Sequence, residues 1–561
     1  MKGKDRKMQM YDIYPVKAQY LTDEEVSIAI ENKNLDAEEV TLKVFHLEDC
    51  ILARKVVLNI SGQSHTAYVR IGRYQAKVSG FGVQLWKKEE LLCSTAFDVV
   101  EHPSKSLRYG FLSDFTKEDG ESEEDISNLR KFHINMVQFY DWSYRHDNLV
   151  SEEENYTDMM GKNISMDTVK EKIAAAKRYG MKPMAYGAVY AASEDFYEKH
   201  PDWAFYTSAG DVFRFIDVFY IMNITKKCPW HGHIVNQYRK AVEEVGFSGI
   251  HMDTYGFPKT AYSRYNGTQE LIYLKNEFAS LINSAKKSLD EVEKDNYLVF
   301  NNVGNWPVDT VAEADLQAIY VEVWSPYERY FHIKQIIREA QKTNTKDLPI
   351  ILAAYLEPFR LYSQERAGFA AYILLAAIVS NGAYHLLLGE ENAVLTQGYY
   401  SDYSYLTDEQ SHKMRHYYDF MIRYMELFYD RSLEDVTMTH IGWDNYEYQC
   451  GFSNWSSYAE ADKIWLTVRE NAKYKTISLI NLCGCKEDYW NQGKEEPELQ
   501  KELLFTVHVD GEIKGIFTAS PDREDASMYP VPYCYRENAK GRFVEFAVPF
   551  LAIWEFVVIR L

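Results

Sequence analysis

The chain has 561 residues, 46% hydrophobic and 26% charged, a globular balance spread over too great a length for one core. Acidic residues outnumber basic ones by 83 to 62, for a net charge of −21. A surface that acidic repels phosphate backbones and anionic lipid, so nucleic acid and membrane are poor partners, whereas a neutral substrate such as a carbohydrate is not disfavoured.

Residues Met1 to Met10 are charged and no apolar stretch follows them. No signal peptide is expected from this, and the chain reads as cytoplasmic, or as secreted if an export signal has been removed. No stretch is long enough to span a membrane. The seven cysteines are odd in number and scattered, and Cys483-Gly-Cys485 lacks a second thiol or His pair at zinc spacing, so buried thiols are expected. No His/Asp/Glu spacing is distinctive of a metal, and the sequence calls for no cofactor. Aromatics reach 15%, with 44 Tyr and 11 Trp; rings with a polar handle suit stacking on sugars and equally suit cores.

Residues 10–100 predict a run of short strands, such as 25–30, 40–45 and 55–60. They alternate at period two between polar turns at 31–34 and 61–63. About seven such strands in this span suggest an immunoglobulin-like β-sandwich over 1–104. From about 105 the pattern changes to strand–helix alternation. Eight strands are expected, at 109–113, 136–140, 183–188, 249–253, 297–302, 318–322, 350–355 and 384–388. Helical stripes intervene: Val169, Ile173 and Ala176; Leu271, Leu274, Phe278 and Ile282; Tyr330, Ile333 and Ile337. Eight units over 105–430 predict a (β/α)8 barrel. The alternative is a doubly wound open sheet, weakened because no Gly-x-Gly-x-x-Gly turn follows any strand. A long helix is expected near 408–428. Strands at 446–452, 463–469, 476–482, 503–509 and 543–548 then predict a C-terminal β-sandwich over 431–561.

Alternation decides which side chains reach the barrel interior. His251 and Asp253 share a face on the fourth strand; Tyr320, Glu322 and Trp324 share one on the sixth; Ala353, Tyr355 and Glu357 share one on the seventh. Barrel enzymes keep their chemistry at the C-terminal strand ends, where Asp253 and Glu322 both fall. Cleaving an acetal requires a proton on the leaving oxygen and an anionic group at the sugar carbon. Carboxyls about 5–5.5 Å apart give retention, and a wider gap gives inversion. A short Asp suits the nucleophile; a longer Glu beside an aromatic wall such as Trp324 suits the proton carrier.

Further pocket candidates are open to two uses each. Tyr140, Asp141 and Trp142 end strand two and could hold a sugar or form an aromatic corner. Tyr186 on strand three could face a ligand or the core. The Asn301-Asn302 pair ends strand five, with Asn302 taken as the candidate to hold a hydroxyl. Glu357 could orient substrate or sit in a solvated loop, and His385 could bond a sugar or be a core histidine.

Several segments together resemble glycoside hydrolase family 66, the dextranases and cycloisomaltooligosaccharide glucanotransferases. They are Gly110-Phe-Leu-Ser-Asp-Phe, Gln138-Phe-Tyr-Asp-Trp-Ser-Tyr-Arg-His, Gly249-Ile-His-Met-Asp-Thr-Tyr-Gly, Tyr320-Val-Glu-Val-Trp and Tyr384-His-Leu-Leu-Leu-Gly-Glu. The resemblance implies that Asp253 is the nucleophile and Glu322 the acid/base of a retaining reaction on α-1,6-linked glucans. It also implies that cyclising members carry a module inserted in the barrel. Here the stretch between strands seven and eight, about 356–383, is filled by one apolar helix, Phe369 to Ile378. A dextranase-like hydrolase is therefore the first expectation and a cyclising transferase the alternative. Another retaining α-glycosidase, or a non-catalytic glucan-binding protein, comes after these.

Overall fold

The computed structural model describes residues 11–32, 38–58 and 66–561. The N-terminal decapeptide, the turn residues 33–34 and 61–63, and the end of the strand expected at 55–60 lie outside them.

Two sheets form the N-terminal part. Tyr11–Pro15, Glu25–Asn32 and Thr66–Arg73 make one; Tyr20–Leu21, Glu38–His46, Asp49–Leu58, Val78–Lys87 and Glu90–Val100 make the other. Alternate residues of both, among them Ile13, Ile28, Val44, Val83 and Phe97, meet in a single apolar cluster. This is how strands of period two bury one face each.

Eight parallel strands follow in one sheet: β1 Tyr109–Leu112, β2 Met136–Phe139, β3 Lys182–Ala188, β4 Gly249–Asp253, β5 Tyr297–Val303, β6 Ala318–Glu322, β7 Ile350–Ala353 and β8 Tyr384–His385. Each pairs with the next in chain order. The sheet nearly closes on itself, because the Phe111 amide donates to the Leu388 carbonyl at 3.1 Å. Strands β4 and β6 have the limits expected from the sequence. Strand β8 is shorter: after His385 the Leu386 amide still donates to the Leu352 carbonyl of β7 at 2.8 Å, and Leu388 then bonds β1.

The helices cover the barrel with the stripes that alternation by 3.6 requires. Val169, Ile173 and Ala176 are buried on helix Met166–Arg178, and Tyr330, Ile333 and Ile337 on helix Tyr330–Thr343. Two expectations need correction. Leu271 belongs to a strand, Glu270–Tyr273, and is largely exposed; the helix begins only at Phe278 and buries Phe278, Leu281, Ile282, Ala285 and Leu289. The helix expected near 408–428 breaks at Tyr424 into Asp408–Arg423 and Met425–Phe428.

The C-terminal part has a larger and a four-stranded sheet sharing one cluster that includes Leu466, Leu479, Phe505, Val544 and Val557. Its strands Gly515–Ala519, Tyr533–Asn538 and Trp554–Arg560 were not expected from the sequence. Among the described residues no helix is long and apolar enough to cross a membrane.

Candidate active site

The C-terminal ends of the barrel strands surround a cavity of about 460 Å³. Register explains which groups enter it. His251 lies opposite Val299, so the next inward positions on β4 and β5 are Asp253 and Asn301; Val303 lies opposite Glu322 on β6. Asp253, Asn301 and Glu322 thus come from three consecutive strands.

The Asn301 amide joins the two carboxylates. Its Nδ2 donates to Asp253 Oδ1 at 2.8 Å and to Glu322 Oε2 at 3.0 Å. Two oxygens this close to one nitrogen are at most about 6 Å apart, below the spacing that admits an inverting water. Each carboxylate has a second donor. The Tyr186 hydroxyl donates to Asp253 Oδ2 at 2.7 Å, and the Tyr355 hydroxyl to Glu322 Oε1 at 2.6 Å. Burial holds the Asp253 carboxyl above the usual carboxylate range and the Glu322 charge adds to this; the bonds from Asn301, Tyr186 and the Thr254 amide pull it down.

The floor is aromatic. His251 Nδ1 pairs with the Tyr109 hydroxyl at 3.0 Å, and the Tyr320 ring meets the imidazole edge-on at 4.8 Å. Burial pushes His251 down to about 3, so it is neutral. One wall holds Tyr140, stacked on Tyr400 at 4.5 Å. Beside it Asp141 follows β2 with a left-handed φ of 50°, a strained conformation of the kind that collects at functional sites. Burial raises its carboxyl to about 8, Asp158 and Asp253 add to this, and Lys162 opposes it. Trp324, 44% exposed, stands at the mouth. Gly398 lies against it: a Cβ there would come within 3.2 Å of the Trp324 ring and 3.6 Å of Glu322 Oε1, so this backbone passes close to both groups.

The structure brings together Asp253, Glu322, Tyr140, Asp141, Tyr186, His251 and Trp324. Three other candidates fall outside the cavity. Asn302 points the other way, its amide donating to the Phe300 and Tyr320 carbonyls; its neighbour Asn301 enters instead. Glu357 lies beyond the end of β7, where the chain turns into the short helix Pro358–Leu361, so strand alternation no longer governs it. His385 is buried with Nε2 on the Ala354 carbonyl at 2.9 Å, a core histidine. Trp142 is likewise a core residue, its indole donating to the Tyr186 carbonyl.

Other lining groups were not singled out from the sequence. Tyr355 had been placed on the inward face without a role. His146, Tyr255, Phe215, Ile216 and Phe219 line the cavity too, as do Gln397 to Tyr400 from the irregular segment after β8. No periodicity marks such segments.

The profile described as Glycosyl hydrolase family 66 matches residues 15–558. Two cycloisomaltooligosaccharide glucanotransferases of Niallia circulans are 23% and 21% identical over 703 and 706 aligned positions, covering 98% of this chain and 71% and 72% of theirs. A Paenibacillus sp. cycloisomaltooligosaccharide glucanotransferase, solved with cycloisomaltoheptaose, superimposes with a TM-score of 0.88 at 21% identity, over 97% of this chain and 99% of that one.

Proposed function

Since the chain belongs to glycosyl hydrolase family 66, we propose that it is a retaining enzyme of α-1,6-glucans that passes the cleaved glycosyl group to a sugar hydroxyl. The observation that carries retention is the single Asn301 nitrogen bonded to both carboxylates. That separation leaves no room for a water between nucleophile and sugar. Asp253 attacks the anomeric carbon as Glu322 gives its proton to the departing oxygen. The glycosyl–Asp253 ester is then broken by an acceptor hydroxyl whose proton returns to Glu322, which restores both carboxyls.

The sequence alone put hydrolysis first. The name shared by the relatives supports transfer instead, and with it a cyclic or lengthened α-1,6-glucan as product. Hydrolysis remains the second reading on one observation. An alignment of 703 positions contains more than 140 that a 561-residue chain cannot fill, so this chain lacks segments that the relative has within the matched region. A segment that held the glucan's far end near the ester would help it outcompete water by raising its effective concentration.

Products from dextran and isomaltooligosaccharides, analysed by mass beside starch, decide between these readings. Cyclic products lack one water relative to linear ones, and transfer yields cyclic or lengthened chains. Linear shortened products alone would overturn transfer, and activity on starch but not dextran would overturn the linkage. For the residues, Asp253→Asn should keep the fold and lose activity by several orders of magnitude, since a carboxamide cannot form the ester. On a substrate with a good leaving group, which needs no protonation to depart, Glu322→Gln should be partly rescued by azide, giving an α-glycosyl azide. A folded Asp253→Asn protein with near-normal turnover, or a Glu322→Gln protein indifferent to azide, would remove the respective role.

A further inference from the structure

Between strands Tyr474–Asn481 and Gln500–Val509 the C-terminal part sends out an irregular arm, residues 482–499, that reaches the barrel. Its backbone runs against the stretch after β6. The Trp490 indole donates to the Tyr327 carbonyl at 2.6 Å and the Trp490 amide to the Glu328 carbonyl at 3.1 Å, while the Asp488 carbonyl accepts from the Tyr330 amide at 2.9 Å. Arg329 pairs with the Asp488 carboxylate and donates to the Tyr489 hydroxyl at 3.1 Å. The same arm grips the stretch after β7. Asn491 Oδ1 accepts from the Glu357 amide at 3.0 Å, the Tyr362 hydroxyl bonds Gln492, and the Gly493 carbonyl accepts from Arg366 at 3.2 Å. A Cβ on Gly493 would come within 2.6 Å of the Tyr362 ring, so the arm lies directly on the barrel. Buried Lys494 fixes its shape, donating to the Glu487 carboxylate at 2.5 Å and the Tyr489 carbonyl at 2.6 Å.

Among the described residues, the arm's hydrogen bonds to the barrel all go to the stretches after β6 and β7. Those two strands carry the Glu322 side of the cavity, whereas Asp253, Asn301 and Tyr186 stand on β3 to β5. Most of the stretch Trp324–Arg329 is exposed, and the Tyr327 amide turns back to the Trp324 carbonyl at 3.0 Å. Its next two carbonyls, those of Tyr327 and Glu328, find their donors on the arm. A general acid must reach the glycosidic oxygen, so the leaving sugar lies on the Glu322 side. The Trp324 ring and Glu322 Oε1 flank the Cβ position of Gly398 and are at most about 7 Å apart, so a sugar bonded to Glu322 meets the indole as well. We propose that the C-terminal arm, through Trp490, holds Trp324 as the wall for the sugar that leaves or accepts at Glu322. Trp490 and Arg329 are positioning residues: they act on that sugar only through the stretch they hold.

The inference rests on Glu322 being the proton donor, which azide rescue of Glu322→Gln tests separately. Its own test compares kcat/KM on isomaltotetraose with kcat/KM on α-isomaltosyl fluoride. Both values report formation of the ester at Asp253. Fluoride, however, departs without a proton and puts no sugar beside Trp324, so the ratio isolates the Glu322 side. Trp490→Phe keeps the ring and removes the indole donor; the ratio should fall about fivefold while the fluoride value holds. Arg329→Gln, at an exposed side chain, should move the ratio the same way, and it decides the matter should Trp490→Phe fail to fold. Near-ultraviolet circular dichroism and the thermal midpoint report the fold. In a Trp324→Ala background Trp490→Phe should leave the ratio where it is, because the arm acts through that ring. The proposal is overturned if the arm variants leave the ratio unchanged, if they lower both values alike, or if the Trp490→Phe loss persists in full without the Trp324 ring. A parent protein that consumes neither compound removes the α-1,6 reading and this inference with it.

Discussion

Asn301 sets the separation of the two carboxyls, so its loss should be felt by both. Hydrogen bonds to a charged acceptor contribute about 1.5–3 kcal/mol each. Both bonds favour the ionised carboxylates. Asn301→Ala should therefore lower kcat/KM on glucan by about a hundredfold, and it should also move the acid limb of the pH profile, which reports ionisation of Asp253. The bond from Asn301 pulls the Asp253 carboxyl down, so with the donor gone that limb should shift to higher pH. A fall in rate with the acid limb in place would mean that Asn301 serves the substrate rather than the pair.

At the scale of elements, the barrel strands were legible because parallel strands buried on both faces read as apolar runs closed by a polar tip. Gly249–Asp253 and Ala318–Glu322 carry that signal most clearly, and they hold the carboxylates. The same burial hid the choice at β5. Both faces of Tyr297–Val303 are apolar up to Asn301, so composition could not tell Asn301 from Asn302; only register with β4 does. What lay beyond reading was whatever reaches the cavity from segments with no period, Tyr400 above all. The hairpin of Arg214–Phe215 and Phe219–Ile221 is a second such segment. At its tip Ile216 and Asp217 have left-handed φ values of 46° and 56°, and Ile216 is 53% exposed while lining the cavity. A β-branched residue pays about 1 kcal/mol or more in that conformation, whereas Asn tolerates it. That backbone cost, at a position on the cavity lining, makes Ile216 the residue of the hairpin to test for ligand contact. Ile216→Asn should hold or raise the thermal midpoint while raising KM for oligosaccharides long enough to reach the cavity mouth. A lowered midpoint with an unchanged KM would show that Ile216 supports the fold instead.

Across the whole molecule the flanking parts are tied to the barrel by buried charge. Asp98, on the last N-terminal strand, receives both terminal nitrogens of Arg108 at 2.8 and 3.0 Å just before β1. Asp419, on helix Asp408–Arg423, accepts from the Ala96 amide and the Thr95 hydroxyl and pairs with His133. Such contacts set the position of the barrel's first loops relative to the N-terminal sheets. Asp12 is the one whose contribution pH can read. Arg415 approaches its Oδ1 at 2.6 Å and Lys131 its Oδ2 at 2.8 Å, joining the first strand to two barrel helices. Burial pushes the Asp12 carboxyl up, but the Arg415 and Lys131 charges and hydrogen bonds outweigh it and bring it down from 3.8 to about 2. A lowered folded value means stability that is present in full above the unfolded value and is lost as pH falls through the folded one. The shift corresponds to about 2 kcal/mol. Asp12→Asn should accordingly lose that amount at pH 7, seen as a lower midpoint in denaturant, and the gap to the parent protein should close as pH drops from about 4 toward 2. A gap that stays constant down to pH 3 would show that packing around residue 12, rather than its charge, holds the N-terminal sheet to the barrel.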